Sequence, residues 1–415
     1  MVPGIDPQTS RLAADLSGEF PSIFASAGIH PNLTGIDSSG SMGEVADLLV
    51  EPGVVAVGET GLDFYRMTIP KEVQKSSLRK HLEMAEAFGM TLIVHSRGAE
   101  AEVLEQLGDN VEVPVIMHCY TGPDEVACAA ARRGWFIGFA GPLTYKKNGY
   151  LRELAGSLPP DRILAETDSP YLSPEPVRGV RNEPSNLVYI AETLAAVMDL
   201  ELDSTAKILR RNALEAFQLG GNRRTDLVYR LYGNIYMNIT GKCDNSCRFC
   251  IRQRTDGLGG YYLRHHSDPE PERLRSIIDL LTVHPGEELV FCGYGEPTMR
   301  PALLEELAGR ASRKGFTVRL NTNGTCLTRM SADRASEMLA HFDKVSVSLN
   351  ASCRDEYREL CRPGDPRAWD ELLRFVELAS EISSVRATAV RYPGIDTKAV
   401  KRLARRLGLT FRTRG

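Results

Sequence analysis

The sequence has no long hydrophobic run, since no apolar stretch approaches the roughly 18 residues that span a membrane. The N-terminal stretch MVPGIDPQTSRLAADL lacks the basic start and apolar core of a signal peptide. The formal net charge is only −4, so the chain as a whole carries no electrostatic footprint for nucleic acid. These absences favour a cytoplasmic protein without a membrane anchor.

Cysteine is sparse and odd in number, with nine residues among 415. In a long chain without a signal peptide, such a set indicates reduced thiols and a metal site rather than a disulfide framework. The apolar content of 42% and the charged content of 25% are typical of a globular protein. Because single hydrophobic cores stop growing beyond about 250–300 residues, this length predicts two domains.

Short apolar runs alternate with segments of helical period in both halves of the chain. This alternation predicts α/β domains with parallel sheets, each closed or partly closed into a barrel. The glycine-rich and charged stretch GGNRRTD at 220–226 predicts a linker. We therefore expect one domain at 1–220, a linker at 221–229 and a second domain at 230–415. The predicted strands are 22–30, 54–60, 92–95, 113–118, 135–140, 162–168, 236–241, 289–293, 316–321, 344–350, 384–390 and 409–413.

Four ionisable residues of the first half lie where apolar strands stop: Glu59, His95, His118 and Asp168. Because the carboxyl ends of parallel barrel strands meet on one face, we expect these side chains to surround one site. Two imidazoles and two carboxylates suit one or two divalent cations, such as Mg, Mn or Zn. For each residue alone, the capping of a loop remains an alternative.

Six motifs of the first half resemble, in order, the TatD family of metal-dependent hydrolases. They are GETGLDF (58–64), VHSR (94–97), MHCYTG (117–122), ETDSPYL (166–172), RNEPSNL (181–187) and RNALEAF (211–217). The resemblance covers residues 1 to about 220. It implies a TIM barrel that cleaves phosphodiesters, notably DNA, with divalent metals. The expected partner of this half is therefore a phosphodiester or a similar nucleic-acid-like substrate.

The resemblance also assigns roles to individual residues. It makes Glu59 a bridging and catalytic ligand, and His95 and His118 ligands of one metal. It makes Asp168 a ligand of a second metal or the catalytic base.

The same resemblance places two further residues, Arg97 and His30, at the substrate phosphate. The stretch GIHPN (28–32) differs from the family's GIHPH, because Asn32 stands at the second histidine position. Asp63 resembles a carboxylate that orients a metal-bound imidazole, and a loop cap is the alternative.

The sequence contains no His-x-His pair, which ends the first strand of this family. MVPGIDPQTS resembles the end of the second strand, so the first strand and most of the second are predicted to be missing from the barrel. We expect the site of Glu59, His95 and His118 to persist, and the site that depends on His-x-His to be weakened. Three explanations for the missing strand remain. The recorded start codon lies downstream of the true one, the gene is truncated, or the domain is a non-catalytic binding scaffold.

The second half contains the stretch CDNSCRFC, with Cys243, Cys247 and Cys250 in a run of eight residues after a predicted strand. Structural zinc sites and most iron–sulfur clusters take four protein ligands. Three thiolates would hold three irons of a 4Fe-4S cluster and leave the fourth iron open to a small molecule. The other six cysteines lack such clustering, and we expect packed thiols. Zinc is the alternative, with a fourth ligand from His265, His266 or Cys292.

The pattern CxxxCxxC, with an aromatic residue before the last cysteine, resembles the signature of radical S-adenosylmethionine (radical SAM) enzymes. The resemblance implies that a 4Fe-4S cluster and S-adenosylmethionine are cofactors, and that a radical abstracts hydrogen from an unknown small-molecule or peptide substrate. The resemblance also implies a protein partner that donates electrons to the cluster, such as flavodoxin or ferredoxin. The order of the two domains resembles the TatD-linked radical SAM proteins.

The radical SAM resemblance also implies contacts to S-adenosylmethionine. The expected residues are Phe249, Tyr294, Gly295, Glu296, Asn323 and Ser348. The predicted fold is therefore α/β with two parallel barrels, an incomplete TIM-barrel-like domain followed by a partial (βα)6 barrel. The leading hypothesis is a bifunctional enzyme; the alternative makes the first half a binding scaffold for the second.

Overall fold

The computed structural model describes residues 1–35, 40–221 and 223–414. The chain divides into two compact units, Met1–Arg224 and Thr225–Gly415. Residue 222, which falls in the predicted linker, lies outside the described residues. Among the described residues, no helix combines the length and the apolar character that crossing a membrane requires.

The first unit is built on a seven-stranded parallel sheet whose strands follow one another in chain order. The strands are β1 (Val2–Pro3), β2 (Ala25–Ala27), β3 (Val54–Asp63), β4 (Thr91–Arg97), β5 (Val115–His118), β6 (Phe136–Phe139) and β7 (Ile163–Ala165). The helices are α1 (Pro7–Glu19), α2 (Gly40–Leu48), α3 (Lys71–Phe88), α4 (Glu100–Leu107), α5 (Asp124–Arg132), α6 (Gly149–Ser157), α7 (Leu187–Met198) and α8 (Leu202–Ala216). The six predicted runs all contain strands, and β1 adds a seventh.

Local sequence explains how these elements form. Helix α1 begins with a capping box, because the Asp6 side chain accepts a hydrogen bond from the Thr9 amide and the Thr9 hydroxyl accepts one from the Asp6 amide. Helix α3 buries Leu78, Ala85 and Phe88 at helical spacing and ends at Gly89. Strand β3 is buried along nearly its whole length, as expected of a strand with both faces covered.

The second unit has another seven-stranded sheet, in the order β16-β15-β14-β13-β12-β9-β8. Its strands are β8 (Val228–Leu231), β9 (Asn234–Met237), β12 (Glu288–Phe291), β13 (Thr317–Thr322), β14 (Lys344–Ser348), β15 (Ser384–Val390) and β16 (Thr410–Arg414), and a separate hairpin joins β10 (Gly257–Leu258) to β11 (Tyr261–Tyr262). The helices are α9 (Pro271–Leu280), α10 (Pro301–Lys314), α11 (Ala332–Leu339), α12 (Arg354–Cys361), α13 (Ala368–Ile382) and α14 (Thr397–Arg406). The six predicted strands are the six parallel ones.

Strand β8 was not predicted, and the predicted linker at 221–229 overlaps it. Leu227, Val228 and Tyr229 are all buried, and β8 pairs antiparallel with β9. The two strands join through Tyr232 and Gly233, which both have positive φ, as a tight two-residue hairpin turn requires. The charges of the preceding GGNRRTD stretch concealed this strand, so the end of the linker prediction is corrected.

Candidate functional site

The candidate site of the first unit lies at the carboxyl ends of its strands. His95 and His118 are paired across β4 and β5, and Gly61 is paired with His95 across β3 and β4. This register brings the two imidazoles to the same level of the sheet. Glu59 lies within β3, and Asp168 follows β7 in a loop with a positive φ of 55°. The strand-end arrangement expected from the sequence is therefore present.

Glu59 lies at the centre of the imidazoles. Its Oε1 atom is 3.0 Å from His95 Nδ1, 3.5 Å from His30 Nε2 and 3.9 Å from His118 Nε2. One ligand atom from each of His30, Glu59 and His95 lies within 4.8 Å of the other two. This spacing suits a single metal ion bound by nitrogen and oxygen ligands. His30, which the resemblance assigned to the substrate, thus lies among the candidate ligands.

His118 joins this group to two further carboxylates. Its Nε2 atom is 3.5 Å from Asp168 Oδ1, and its Nδ1 atom is 2.9 Å from Glu166 Oε2. The other oxygen of Glu166 accepts a hydrogen bond from the Cys119 amide. Sequence reasoning missed Glu166 as a site residue, although it begins the ETDSPYL motif. A carboxylate on the second nitrogen of an imidazole fixes the ring orientation and raises its basicity.

Asp63 lies on the opposite side of His95 from Glu59. Its Oδ2 atom lies 3.6 Å from His95 Nε2 and accepts a hydrogen bond from the Asn32 side chain at 2.8 Å. Its Oδ1 atom accepts hydrogen bonds from the amides of Tyr65 and Arg66. Asn32 therefore holds a carboxylate at the position where the family motif has a histidine. Among the described residues, His95 Nε2 is buried without a hydrogen-bond partner.

The carboxylates of the site have opposite pKa shifts. Burial alone would raise the pKa of Glu59, but the charges of His118 and His95 lower it to about 2. Burial raises the pKa of Asp168 to about 6, because the nearby charge of His118 only partly opposes it. Two carboxyl groups whose pKa values are shifted apart in this way are typical of sites where one group stays ionised and the other exchanges a proton.

The imidazoles also differ in their protonation. Burial would lower the pKa of His118, but the charge of Glu166, with that of Glu59, raises it to about 10. Burial lowers the pKa of His30 to about 4. The negative charge that holds a proton on His118 is the kind of charge that a cation would also neutralise.

Arg97 lies outside this group of ligand atoms. It ends β4, its side chain is exposed, and its guanidinium lies 4.2 Å from the centre of the Tyr65 ring. Its assignment to a substrate phosphate stays a prediction. The rest of the set fits a divalent cation, because it combines nitrogen and oxygen ligands, a buried nitrogen without a partner and a surplus of carboxylate charge.

In the second unit, the loop that carries the three cysteines (238–250, the cysteine loop) follows β9, and the last residues of α12 hold it in place. The Ser246 amide donates to the Cys361 carbonyl at 3.1 Å, and the Arg248 amide donates to the Leu360 carbonyl at 2.9 Å. Cys243, Cys247 and Cys250 are all free and half-buried. Three accessible thiols on one tethered loop suit an iron–sulfur cluster.

Cys361 was expected to be a packed thiol, and it is buried, with 1% of its surface exposed. Its sulfur also lies next to that of Cys247, which the sequence did not predict. The proximity of the two thiols lowers the pKa of Cys247 and raises that of Cys361. No sequence signal pointed to this pair, because the two residues are far apart in the chain.

Glu296 is 3% exposed and lies in a shell of hydrogen-bond donors. Its Oε1 atom accepts from the hydroxyls of Thr298 at 2.8 Å and Thr322 at 2.7 Å, and its Oε2 atom accepts from the Asn323 amide at 2.7 Å. Burial raises its pKa. The preceding Gly295 lies against the cysteine loop, because a Cβ there would approach the Thr240 oxygen to 2.3 Å.

Asp244, inside the cysteine motif, connects these residues and was missed by sequence reasoning. It accepts hydrogen bonds from the Asn323 side chain and the Thr325 hydroxyl, both at 2.7 Å, and from Arg329. The structure thus places the cysteine loop next to Asn323, which itself contacts Glu296. These groups suit a small molecule with charged and hydroxyl groups next to a cluster.

The remaining predicted residues lie around this network. The Tyr294 hydroxyl donates to the Thr255 carbonyl at 2.9 Å. The Phe249 ring packs against Tyr392, with centroids 5.8 Å apart. Ser348 is half-buried at the end of β14. Contacts of these three with a cofactor stay predictions.

Comparisons with known proteins agree with the two-unit organisation. The family model described as TatD related DNase matches residues 1–218, and the model of the Radical SAM superfamily matches residues 237–407. A metal-dependent hydrolase of Bacillus subtilis, YabD, is 35% identical over 222 residues, which cover 53% of this chain and 87% of that protein.

Two further relatives match the same half. The 3'-5' ssDNA/RNA exonuclease TatD of Escherichia fergusonii is 32% identical over 202 residues, which cover 47% of this chain and 78% of that protein. The crystal structure of the TatD homologue YJJV from Escherichia coli has 25% identity and a TM-score of 0.50, and the match covers 52% of this chain and 84% of that one. The chain therefore belongs to the TatD related DNase family, and its second unit is a radical SAM domain.

Proposed function

We propose that the first unit hydrolyses phosphodiester bonds with a divalent metal, and that the second cleaves S-adenosylmethionine on a 4Fe-4S cluster. The observation that supports the first activity most strongly is the position of Glu59, within 3.9 Å of three imidazoles. Its low pKa keeps it ionised, and an ionised carboxylate among imidazoles is a good ligand for a divalent ion. Asp168, which lies beside His118, is then available for proton transfer while Glu59 holds the metal.

His30, Glu59, His95 and His118 would hold the cation. When bound, such an ion polarises a phosphoryl oxygen and lowers the pKa of a bound water. Asp168 has a pKa of about 6, so it is mostly ionised at neutral pH and accepts a proton from water readily.

A nucleic acid is the substrate class that we favour for this half. A relative that is 32% identical over 202 residues is named as a 3'-5' exonuclease of ssDNA and RNA. Arg97 would contact a phosphate from the rim, since its guanidinium is exposed and is held over the Tyr65 ring. Guanidinium groups match the oxygens of phosphate in two-point contacts.

In the second unit, Cys243, Cys247 and Cys250 would hold the cluster. When bound, a cluster of this kind supplies the electron for the reductive cleavage of S-adenosylmethionine. The two polar residues beside the cysteine loop, Glu296 and Asn323, would orient the amino acid end of the cofactor. A flavodoxin- or ferredoxin-like donor would reduce the cluster.

Hydrolysis is tested with a 3'-labelled single-stranded DNA and with bis(p-nitrophenyl) phosphate, each with Mg²⁺ or Mn²⁺. We expect the variants Glu59→Gln and Asp168→Asn to lose roughly a hundredfold or more in rate, the scale of a lost acid–base group. The matched control is Glu153→Gln, which removes a carboxylate from an exposed position on α6. Equal rates in all variants would refute the hydrolase assignment.

The radical activity is tested separately. The protein is reconstituted anaerobically with iron and sulfide, given dithionite and S-adenosylmethionine, and assayed for 5'-deoxyadenosine. The Cys250→Ala variant should yield none. If the intact protein binds its cluster and still forms no 5'-deoxyadenosine, this half of the proposal is wrong.

We propose as a second candidate that the first unit binds a substrate or partner without turning it over. Binding of single-stranded DNA without added metal and without cleavage would support this candidate. Metal-dependent cleavage that disappears in Glu59→Gln would exclude it.

A further inference from the structure

A cavity of the radical SAM domain lies at the amino-terminal ends of its strands. It encloses about 420 Å³, and the first residues of several strands line it, including Asn234 of β9, Glu288 of β12 and Ser384 of β15. The cysteine loop follows the carboxyl end of β9, so the two sites lie at opposite ends of the parallel sheet. The volume is within the range of roughly 300–1,000 Å³ that small-molecule sites occupy.

Positive charges outnumber negative charges among the residues that line this cavity. We call it the basic cavity. Four are positive and one is negative: Arg319, Lys344, Arg386 and Arg412 against Glu288. The net charge of the lining is therefore +3. Cations that surround one cavity repel one another, so this arrangement favours an anion inside it.

The single carboxylate is already engaged with two of the cations. Glu288 Oε1 lies 2.6 Å from Lys344 Nζ, and its Oε2 lies 2.8 Å from Arg319 Nε. In the part of the chain that the structure describes, no side chain pairs with Arg386 or Arg412. Among the described residues, two guanidinium groups of the basic cavity therefore have no counter-ion.

Strand register places these two arginines on one face. Arg386 is paired with Thr410, and Thr388 is paired with Arg412, so the two arginines are diagonal neighbours across β15 and β16. Both side chains are exposed, and diagonal neighbours lie about 7–8 Å apart, a spacing within which one anion can contact both. The same pairing directs both side chains toward the cavity that they line.

We propose that the basic cavity binds a small phosphate-bearing molecule at a site separate from the cluster. Guanidinium groups bind phosphate in two-point contacts, and a ligand with two or more negative charges would neutralise the lining. Tyr232 and Tyr236 also line the cavity and provide aromatic surface for a base. Inorganic pyrophosphate and a nucleotide such as ATP share the required chemistry, and the experiment separates them.

The test uses the full-length protein with its cluster reconstituted anaerobically, in buffer free of divalent cations. Binding of pyrophosphate and of ATP is measured by isothermal titration calorimetry. We expect the double variant Arg386→Gln/Arg412→Gln to bind roughly tenfold or more weakly, because it removes two guanidinium groups that would contact the phosphate. Tighter binding of ATP than of pyrophosphate would identify a nucleotide site, and the reverse would identify a site for the phosphate group alone.

Two controls make the result decisive. Lys401→Gln/Arg405→Gln removes the same charge from the exposed face of α14 and should leave the affinity unchanged. Glu288→Gln removes the one carboxylate among the described lining residues and should tighten binding, which a misfolded protein would not do. If neither probe binds the intact protein, or if both double variants weaken binding equally, the proposal is overturned.

Discussion

The Nδ1 atom of His118 lies 2.9 Å from Oε2 of Glu166. Since this carboxylate also accepts the Cys119 amide, its position is fixed from two sides. Gly138 leaves room for it, because a Cβ there would approach Glu166 Oε1 to 2.6 Å. The ring of His118 is therefore held with Nε2 toward Glu59 and Asp168.

We expect the substitution Glu166→Gln to weaken metal binding by the first unit. The amide keeps the shape but loses the charge that raises the basicity of His118, and such losses typically cost roughly 10–100-fold in metal affinity. Titration with Mn²⁺, followed by calorimetry, measures the change. Glu153→Gln on α6 is the matched control, and an unchanged affinity in Glu166→Gln would contradict the role given to this carboxylate.

His81 makes the stability of the protein depend on pH. It is fully buried, its Nε2 accepts from the Ile29 amide at 3.0 Å, and its Nδ1 donates to the Ser77 carbonyl at 2.8 Å. Both nitrogens are therefore satisfied only in the neutral ring. Burial lowers its pKa from the ordinary 6.5 to about 4.

Between these two values the unfolded chain binds more protons than the folded one, so stability is full above pH 6.5 and is lost as the pH falls toward 4. At about 1.36 kcal/mol per pKa unit, the loss is roughly 3 kcal/mol. Urea unfolding at pH 7 and pH 4.5 measures it. The His81→Gln variant, although less stable, should show a smaller difference between these two pH values; an equal difference would contradict the prediction.

The thiol of Cys361 should tune a cluster bound at Cys247, because hydrogen bonds to cluster sulfurs raise the reduction potential. We expect Cys361→Ala to assemble the cluster with the same iron content but with a more negative potential. The shift should be up to roughly 50 mV, the one-electron equivalent of a hydrogen bond of about 1 kcal/mol. A redox titration followed by EPR measures it. Cys353→Ala, at an exposed thiol of the same unit, should cause no shift.

Gly295 should tolerate no side chain. A Cβ would lie 2.3 Å from the Thr240 oxygen and 2.5 Å from the Lys242 oxygen, both in the backbone, so the loop would have to move. We expect Gly295→Ala to reduce cluster incorporation and to destabilise the second unit by roughly 1–3 kcal/mol, the usual cost of overpacking. Iron analysis and thermal unfolding measure both effects. Gly364→Ala, where the nearest atom is 3.4 Å away, is the control.

Periodicity predicted the strands well and missed those with weak patterns. The six parallel strands of each half follow from apolar runs, because buried strands must be apolar on both faces. Strand β1 has two residues, too few for a periodic pattern, and was expected only because MVPGIDPQTS resembles the end of a strand. Strand β8 follows a charged stretch and was missed. Its pairing depends on the turn at Tyr232 and Gly233, which only the folded backbone shows.

The candidate ligands were predictable for a related reason. Glu59, His95 and His118 lie in or at the ends of apolar strands, where polar residues are conspicuous. Glu166 and Asp244 lie inside the motifs, yet their partners come from distant parts of the chain, so their roles emerged only from the fold. The position of Cys361 next to Cys247 also emerged only from the fold, because it follows from the packing of α12 against the cysteine loop.

The sequence alone determined the α/β class and the two-domain order, and it predicted candidate ligands for both sites, because motifs and periodicity are local properties of the chain. Only the tertiary structure decided which groups orient the ligands, that His30 lies beside Glu59, and that four cations surround one cavity. Such relationships depend on strand register and on contacts between distant segments. No local pattern encodes them.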